Sequence, residues 1–258
     1  MTFDMYIGID YSGAETAESR LKGLQLYEAT GGLPERIIAH PEDGRTHWKW
    51  SRKEVAQHLL DLIATGTRFI AGIDHSFSLP LSYFERYDLR SWDQFLDDFV
   101  EHWPTHRPST YVDFIRDRRP GPTRVGFATE FRLCERWTSS AKSCFQFDCQ
   151  GQVAKSTHAG IPWLWHIRRT VGDRVHFWPF DGWDVPEGRS VIAEMYPSIL
   201  RNRYPREDRT VDEHDAYSVA RWLKETCERG ILERYLHPPL TNEERKVAGM
   251  EGWILGIT

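Results

Sequence analysis

The tripeptide Gly-Ile-Asp occurs twice, at residues 8–10 and 72–74, and each copy closes a short apolar run. The two runs, 5–10 and 68–74, have the length and composition of buried strands. Side chains alternate between the faces of a strand, so the glycine two residues before each acid shares its face. That glycine leaves the space beneath the acid free of side chain. Asp10 and Asp74 also sit at the carboxyl ends of their strands, the edge of open α/β sheets where ligands bind. A lone strand-ending aspartate is commonly a turn or cap residue. Two of them on matching faces of parallel strands bring like charges together, an arrangement that a shared cation would relieve.

The rest of the chain fits alternating strands and helices. Residues 22–29 and 35–39, with a Gly31-Gly32 turn between them, predict two strands joined as a hairpin. Residues 51–66 read as a helix, because Ser51 and Glu54 have capping-box spacing and Val55, Leu59, Leu62 and Ile63 form one apolar face. Strand, helix and strand in that order imply a right-handed crossover onto a parallel neighbour. Residues 174–178 and 190–195 predict two more strands, and Pro197 suits the first turn of a short helix. Thr210 and Glu213 open a further helix from about 211 to 228, and helices are also expected at 91–102, 160–172 and in the tail 230–250. With 258 residues, 40% of them hydrophobic and 13% aromatic, the chain can bury one large core. The expected fold is α/β, a mixed central sheet flanked by helices in a single domain spanning 1–258. The region at about 80–172 is placed as a large insertion over one end of the sheet.

Two further acids join the strand-ending pair. Glu194 ends the strand-like run Val191-Ile192-Ala193-Glu194, where its apolar neighbours predict burial. A buried glutamate needs a partner, a proton or a metal, and an arginine would serve as well as a cation. Asp215 falls on the stripe Val211, Asp215, Val219 and Trp222, which predicts an acid aimed at the sheet from a helix N-terminus. Ala216 and Ala220 beside it would let that helix approach closely. Asp10, Asp74, Glu194 and Asp215 are therefore the candidate catalytic and metal-binding residues. Carboxylates suit Mg2+ or Mn2+, since a hard cation takes oxygen ligands and keeps several waters. A pair of such ions activates water and stabilises a leaving oxygen in phosphodiester cleavage.

In the order of its acids the chain resembles the RNase H-like superfamily. That fold carries one acid on the first strand, one at the end of the fourth, and later ones near the fifth strand and on the last helix. Within the superfamily it is most similar to an uncharacterised family of predicted nucleases related to RuvC-type resolvases. The stretches that carry the likeness are IGIDYSGA, AGIDHSFSLP, IAEMYPSIL and VDEHDAYSVARWL, with AKSCFQF, HFWPFD and EGWILG in support. The resemblance implies an insertion between the fourth and fifth core strands and a metal-dependent nuclease activity.

Charge speaks to the partner. The net charge is −5, from 33 basic and 38 acidic residues, so contact with nucleic acid would use a local patch. Between Arg116 and Lys155 eight basic residues (Arg116, Arg118, Arg119, Arg124, Arg132, Arg136, Lys142 and Lys155) face four acids, Asp117, Glu130, Glu135 and Asp148. Arg124, Lys142 and Lys155 are the expected phosphate contacts, with Ser12 either joining them or closing a turn. Trp163, Trp165, Trp178 and Trp183 are candidates for stacking bases, with core packing the competing use. His214, beside Asp215, is expected near the metals. No CxxC pair is present, so Cys134, Cys144, Cys149 and Cys227 read as free thiols. No basic leader and no run of about 20 apolar residues is present, so the expected location is cytoplasmic and off the membrane. Two alternatives stand beside a nuclease. One is a non-catalytic nucleic-acid or protein-binding module on the same fold. The other is an actin or sugar-kinase type of phosphotransferase, which needs a second glycine-rich loop that His75-Ser76-Phe77-Ser78-Leu79-Pro80 does not supply.

Overall fold

The two Gly-Ile-Asp runs form neighbouring parallel strands in register. Strand β1 (Met5–Asp10) pairs with β4 (Phe69–Asp74) so that Gly8 lies beside Gly72 and Asp10 beside Asp74. The computed structural model describes residues 1–39, 44, 48–118, 124–138, 141–147 and 153–258. Strands β2 (Gln25–Ala29) and β3 (Glu35–Arg36) and helix α1 (Arg52–Ala64) lie between β1 and β4 in the chain. After β4 come helices α2 (Leu81–Arg86), α3 (Trp92–His102), α4 (Val112–Arg118), α5 (Leu133–Trp137) and α6 (Val153–Val171). Strands β5 (Val175–Trp178) and β6 (Ser190–Glu194) follow, and helices α7 (Val211–Glu228), α8 (Leu232–Leu236) and α9 (Asn242–Glu251) complete the order. The six strands make one mixed sheet in the order β3-β2-β1-β4-β6-β5. Strand β2 runs antiparallel to β1 and β3, and the remaining neighbours are parallel. The expected capping boxes are present at Ser51/Glu54 and Thr210/Glu213.

Each face of the sheet carries its own apolar layer. Ile7, Ile9, Ala71, Ile73 and Ile192 pack against Val55 and Leu59 of α1, Phe95 and Phe99 of α3, and Ile161 and Leu164 of α6. Tyr6, Ile70, Val191 and Ala193 pack against Ala216, Val219, Ala220 and Leu223 of α7. No helix among the described residues is long and apolar enough to cross a membrane.

Close approach of α7 to the sheet depends on the strand glycines. A methyl group built on Gly8 would overlap the carbonyl oxygen of Ala216 and lie 2.7 Å from the nitrogen of Ala220. One built on Gly72 would overlap the Met195 side chain and lie 2.6 Å from Val219 Cγ1. The space beneath the two acids is thus filled by the α7 backbone at Gly8 and by the Met195 and Val219 side chains at Gly72.

Several sequence expectations shift. Helix α6 starts at Val153, seven residues before the expected 160, because Gly160 and Pro162 are accommodated inside it. The tail forms two helices, α8 and α9, where one was expected. Val211, expected against the sheet, is 57% exposed, so the inward stripe of α7 begins at Asp215.

Gly8→Ala should lower the unfolding free energy by about 3 kcal/mol, since its methyl meets backbone that has no room to move. Gly31→Ala, with open space at its Cβ, should change it by less than about 0.5 kcal/mol. Urea titration of both variants checks the contrast, and equal losses would contradict the packing argument.

Candidate active site

Register places Asp10 and Asp74 side by side on the α7 face, and their carboxyl groups share a hydrogen bond. Helix α7 adds Asp215, on its inward stripe, and Asp212 one turn earlier. The four aspartates line a cavity of about 1030 Å³ at the carboxyl ends of β1, β4 and β6. Burial raises the Asp10 carboxyl well above the usual range, and Asp74, Asp212 and Asp215 push it further. Asp74 is raised to about 7, by burial first and then by the charge of Asp215. Burial raises Asp215 to about 6, with Arg201 opposing the shift and Asp212 adding to it. Groups this close titrate as a set, and burial with mutual repulsion favours the protonated form of the Asp10–Asp74 pair.

Glu194 lines the same cavity in a different role. It pairs in register with Ile73, one step from Asp74, so its side chain leaves the opposite face of the sheet from Asp10 and Asp74. There Arg132 meets it with two bonds, Nη2 to Oε1 at 2.6 Å and Nη1 to Oε2 at 2.7 Å. The Phe77 amide donates to Oε2 at 3.1 Å. Arg132 spends its other N–H groups on Glu135, the Glu251 carbonyl and Ser76 Oγ. The side chains of Arg132 and Glu194 are 1% and 5% exposed. Glu194 is therefore the counter-ion of a buried arginine. Among the described residues no three His, Cys, Asp or Glu side chains are grouped as a metal ion would hold them.

The expected phosphate contacts divide. Ser12, Lys142 and Lys155 line the cavity, and Lys155 is ion-paired with Asp113 at 2.7 Å. Arg124 does not line it. Its guanidinium bonds Asp98 at 2.8 Å and lies over the Tyr87 ring, which anchors the segment to α3. Arg119, Asp148 and Cys149 lie outside the described residues. Trp163 and Trp178 are buried in the core, Trp165 donates to Asp97, and Trp183 packs edge-on against Trp178. His214 is buried, its Nε2 lies 3.4 Å from Ser218 Oγ, and it does not line the cavity. Cys134, Cys144 and Cys227 are buried free thiols.

Arg52 was not expected at the site. It is fully buried and donates to the carbonyl oxygens of Ser12, Ala14 and Glu15, fixing the loop that follows Asp10. A cation in the first turn of a helix opposes the helix dipole, and that mismatch is its one trace in the sequence. No known protein family, curated protein or solved structure matches the chain.

The raised carboxyls make a prediction about stability. A carboxyl whose folded pKa is raised stabilises the fold fully below its unfolded pKa, and that contribution is lost as pH rises through the folded value. For Asp74 the window runs from the ordinary carboxylate range up to about 7. In buffer with chelator, Asp74→Asn should melt higher than wild type near pH 8, with the gap closing towards about pH 5. A gap independent of pH in thermal melts would contradict the crowded-acid account.

Proposed function

We propose that the chain is a divalent-metal-dependent nuclease on an RNase H-like fold, hydrolysing phosphodiester bonds of nucleic acid. The observation that carries this reading is the convergence of Asp10, Asp74 and Asp215 on one cavity, with Asp10 and Asp74 side by side in register. Their order, on the first strand, the fourth strand and the helix after the last strand, is the one the sequence resemblance expects. On this reading β6 is the fifth core strand, and the residues at about 80–172, from α2 to α6, are the insertion.

The donor set suits Mg2+ or Mn2+. Its oxygens are hard, they carry more negative charge than nearby side chains offset, and one or two carboxylates suffice for a cation that keeps its waters. Asp10 and Asp74 would hold the ion, with Asp215 lining the same cavity. A bound cation of this kind lowers the pKa of a water and stabilises a leaving oxygen. The chain's own residues do the rest: Arg52 fixes the loop after Asp10, Arg132 locks Glu194 into the wall, and Ser12, Lys142 and Lys155 line the approach.

A second reading, a non-catalytic binding module, draws on the pairing of Glu194 with Arg132, which removes one acid from the expected set. Cleavage of a panel of DNA and RNA substrates with Mn2+ separates the two. Wild type should cleave at least one substrate. Asp10→Asn should lose more than the roughly hundredfold that loss of an outer metal partner costs. Equal cleavage by Asp10→Asn would sink the site assignment, and no cleavage by either protein would favour the module.

A further inference from the structure

The acidic floor of the cavity repels the phosphate it is read to cleave, so the substrate needs a cation with free donors nearby. Two basic residues on the wall are already engaged. Arg132 has every guanidinium N–H bonded, and Lys155 is ion-paired with Asp113. Arg201 differs. It lines the cavity and is exposed, and among the described residues its side chain makes no hydrogen bond or ion pair. Its charge nevertheless reaches Asp215.

The backbone under Arg201 is held firmly. It caps the 3-10 turn Pro197–Leu200, whose Pro197 and Leu200 are buried, and its amide donates to the Ser198 carbonyl. That turn packs against α7, the helix that carries Asp215. The stretch 201–209, Arg-Asn-Arg-Tyr-Pro-Arg-Glu-Asp-Arg, has four arginines against two acids. Of these, Arg206 is also exposed with no side-chain partner among the described residues. Arg203 and Arg209 are engaged with Tyr204 and Glu225, and with Glu207 and Tyr217. The stretch runs into the N-terminus of α7, where the helix dipole adds to the positive field.

We propose that Arg201 binds a non-bridging oxygen of a phosphodiester at the mouth of the cavity, beside Asp215, with the 201–209 stretch guiding the polyanion to it. This rests on the nuclease reading and moves the substrate contact from the 116–155 region to the segment between β6 and α7. A guanidinium offers paired donors matched to phosphate oxygens, which Lys cannot reproduce.

The test measures binding of a fluorescein-labelled phosphorothioate oligonucleotide, single-stranded and duplex, by anisotropy in Mn2+ buffer. Arg201→Ala should weaken binding by about tenfold or more and lower the salt-dependence slope by about one. Arg201→Lys should keep the slope while recovering only part of the affinity. Arg229→Ala removes the same charge at the far end of α7 and should change binding less than about twofold, as a surface position does. Mn2+ calorimetry on Arg201→Ala should match wild type, showing a folded protein with an intact acidic site. Equal oligonucleotide binding by Arg201→Ala and wild type overturns the inference and leaves the nuclease reading standing. Failure of wild type to bind any oligonucleotide overturns both, and stabilisation by inorganic phosphate alone would then assign the position to a small phosphate ester.

Discussion

Close contact between α7 and the two central strands governs both the fold and the site. The helix backbone lies where a side chain of residue 8 would be, and the Met195 and Val219 side chains lie where one of residue 72 would be, so only glycine leaves that room. Ala216 and Ala220 complete the contact from the helix side. Interiors pack at the density of organic crystals, so an approach this close fixes the helix laterally and along its axis. Asp215, one residue before Ala216, is thereby held over the ends of β1 and β4. The same glycines that make the strands pack also set the position of the third acid.

Electrostatics divides the acids by the face of the sheet they leave. Glu194, out of step with Asp74, emerges where the chain can reach it with a buried arginine, and the pair is fully hydrogen-bonded. Removing one partner of such a pair costs about 3–5 kcal/mol because the other charge is left stranded. Asp10 and Asp74 emerge on the other face, where α7 adds Asp215, and among the described residues no such bidentate partner meets them, so burial raises all three carboxyls. A wall with its charge settled and a floor with its charge unsettled is the arrangement expected where an external cation or substrate completes the balance.

Much of this was legible in the sequence, and the gaps have physical causes. The two central strands, both capping boxes and α7 follow from local rules: apolar runs, cap spacing and helical periodicity. The start of α6 was missed because Gly160 and Pro162 oppose a helix locally, whereas packing against His75 and the core accepts them. The role of Glu194 depended on register, and a shift of one residue reverses the face a side chain takes. Arg132 could not be singled out, since nothing local distinguishes it from the seven other basic residues of its region. Arg124 looked equally available, and its pairing with Asp98 joins residues far apart in sequence.

On the proposed function, Asp10 and Asp74 together would form a cation site. Isothermal titration of Mn2+ into wild type, Asp10→Asn and Asp74→Asn tests it most directly. The account predicts saturable binding to wild type and its loss in each variant, with circular dichroism showing all three folded. Absence of binding to wild type, or binding of equal affinity to Asp10→Asn, would contradict it.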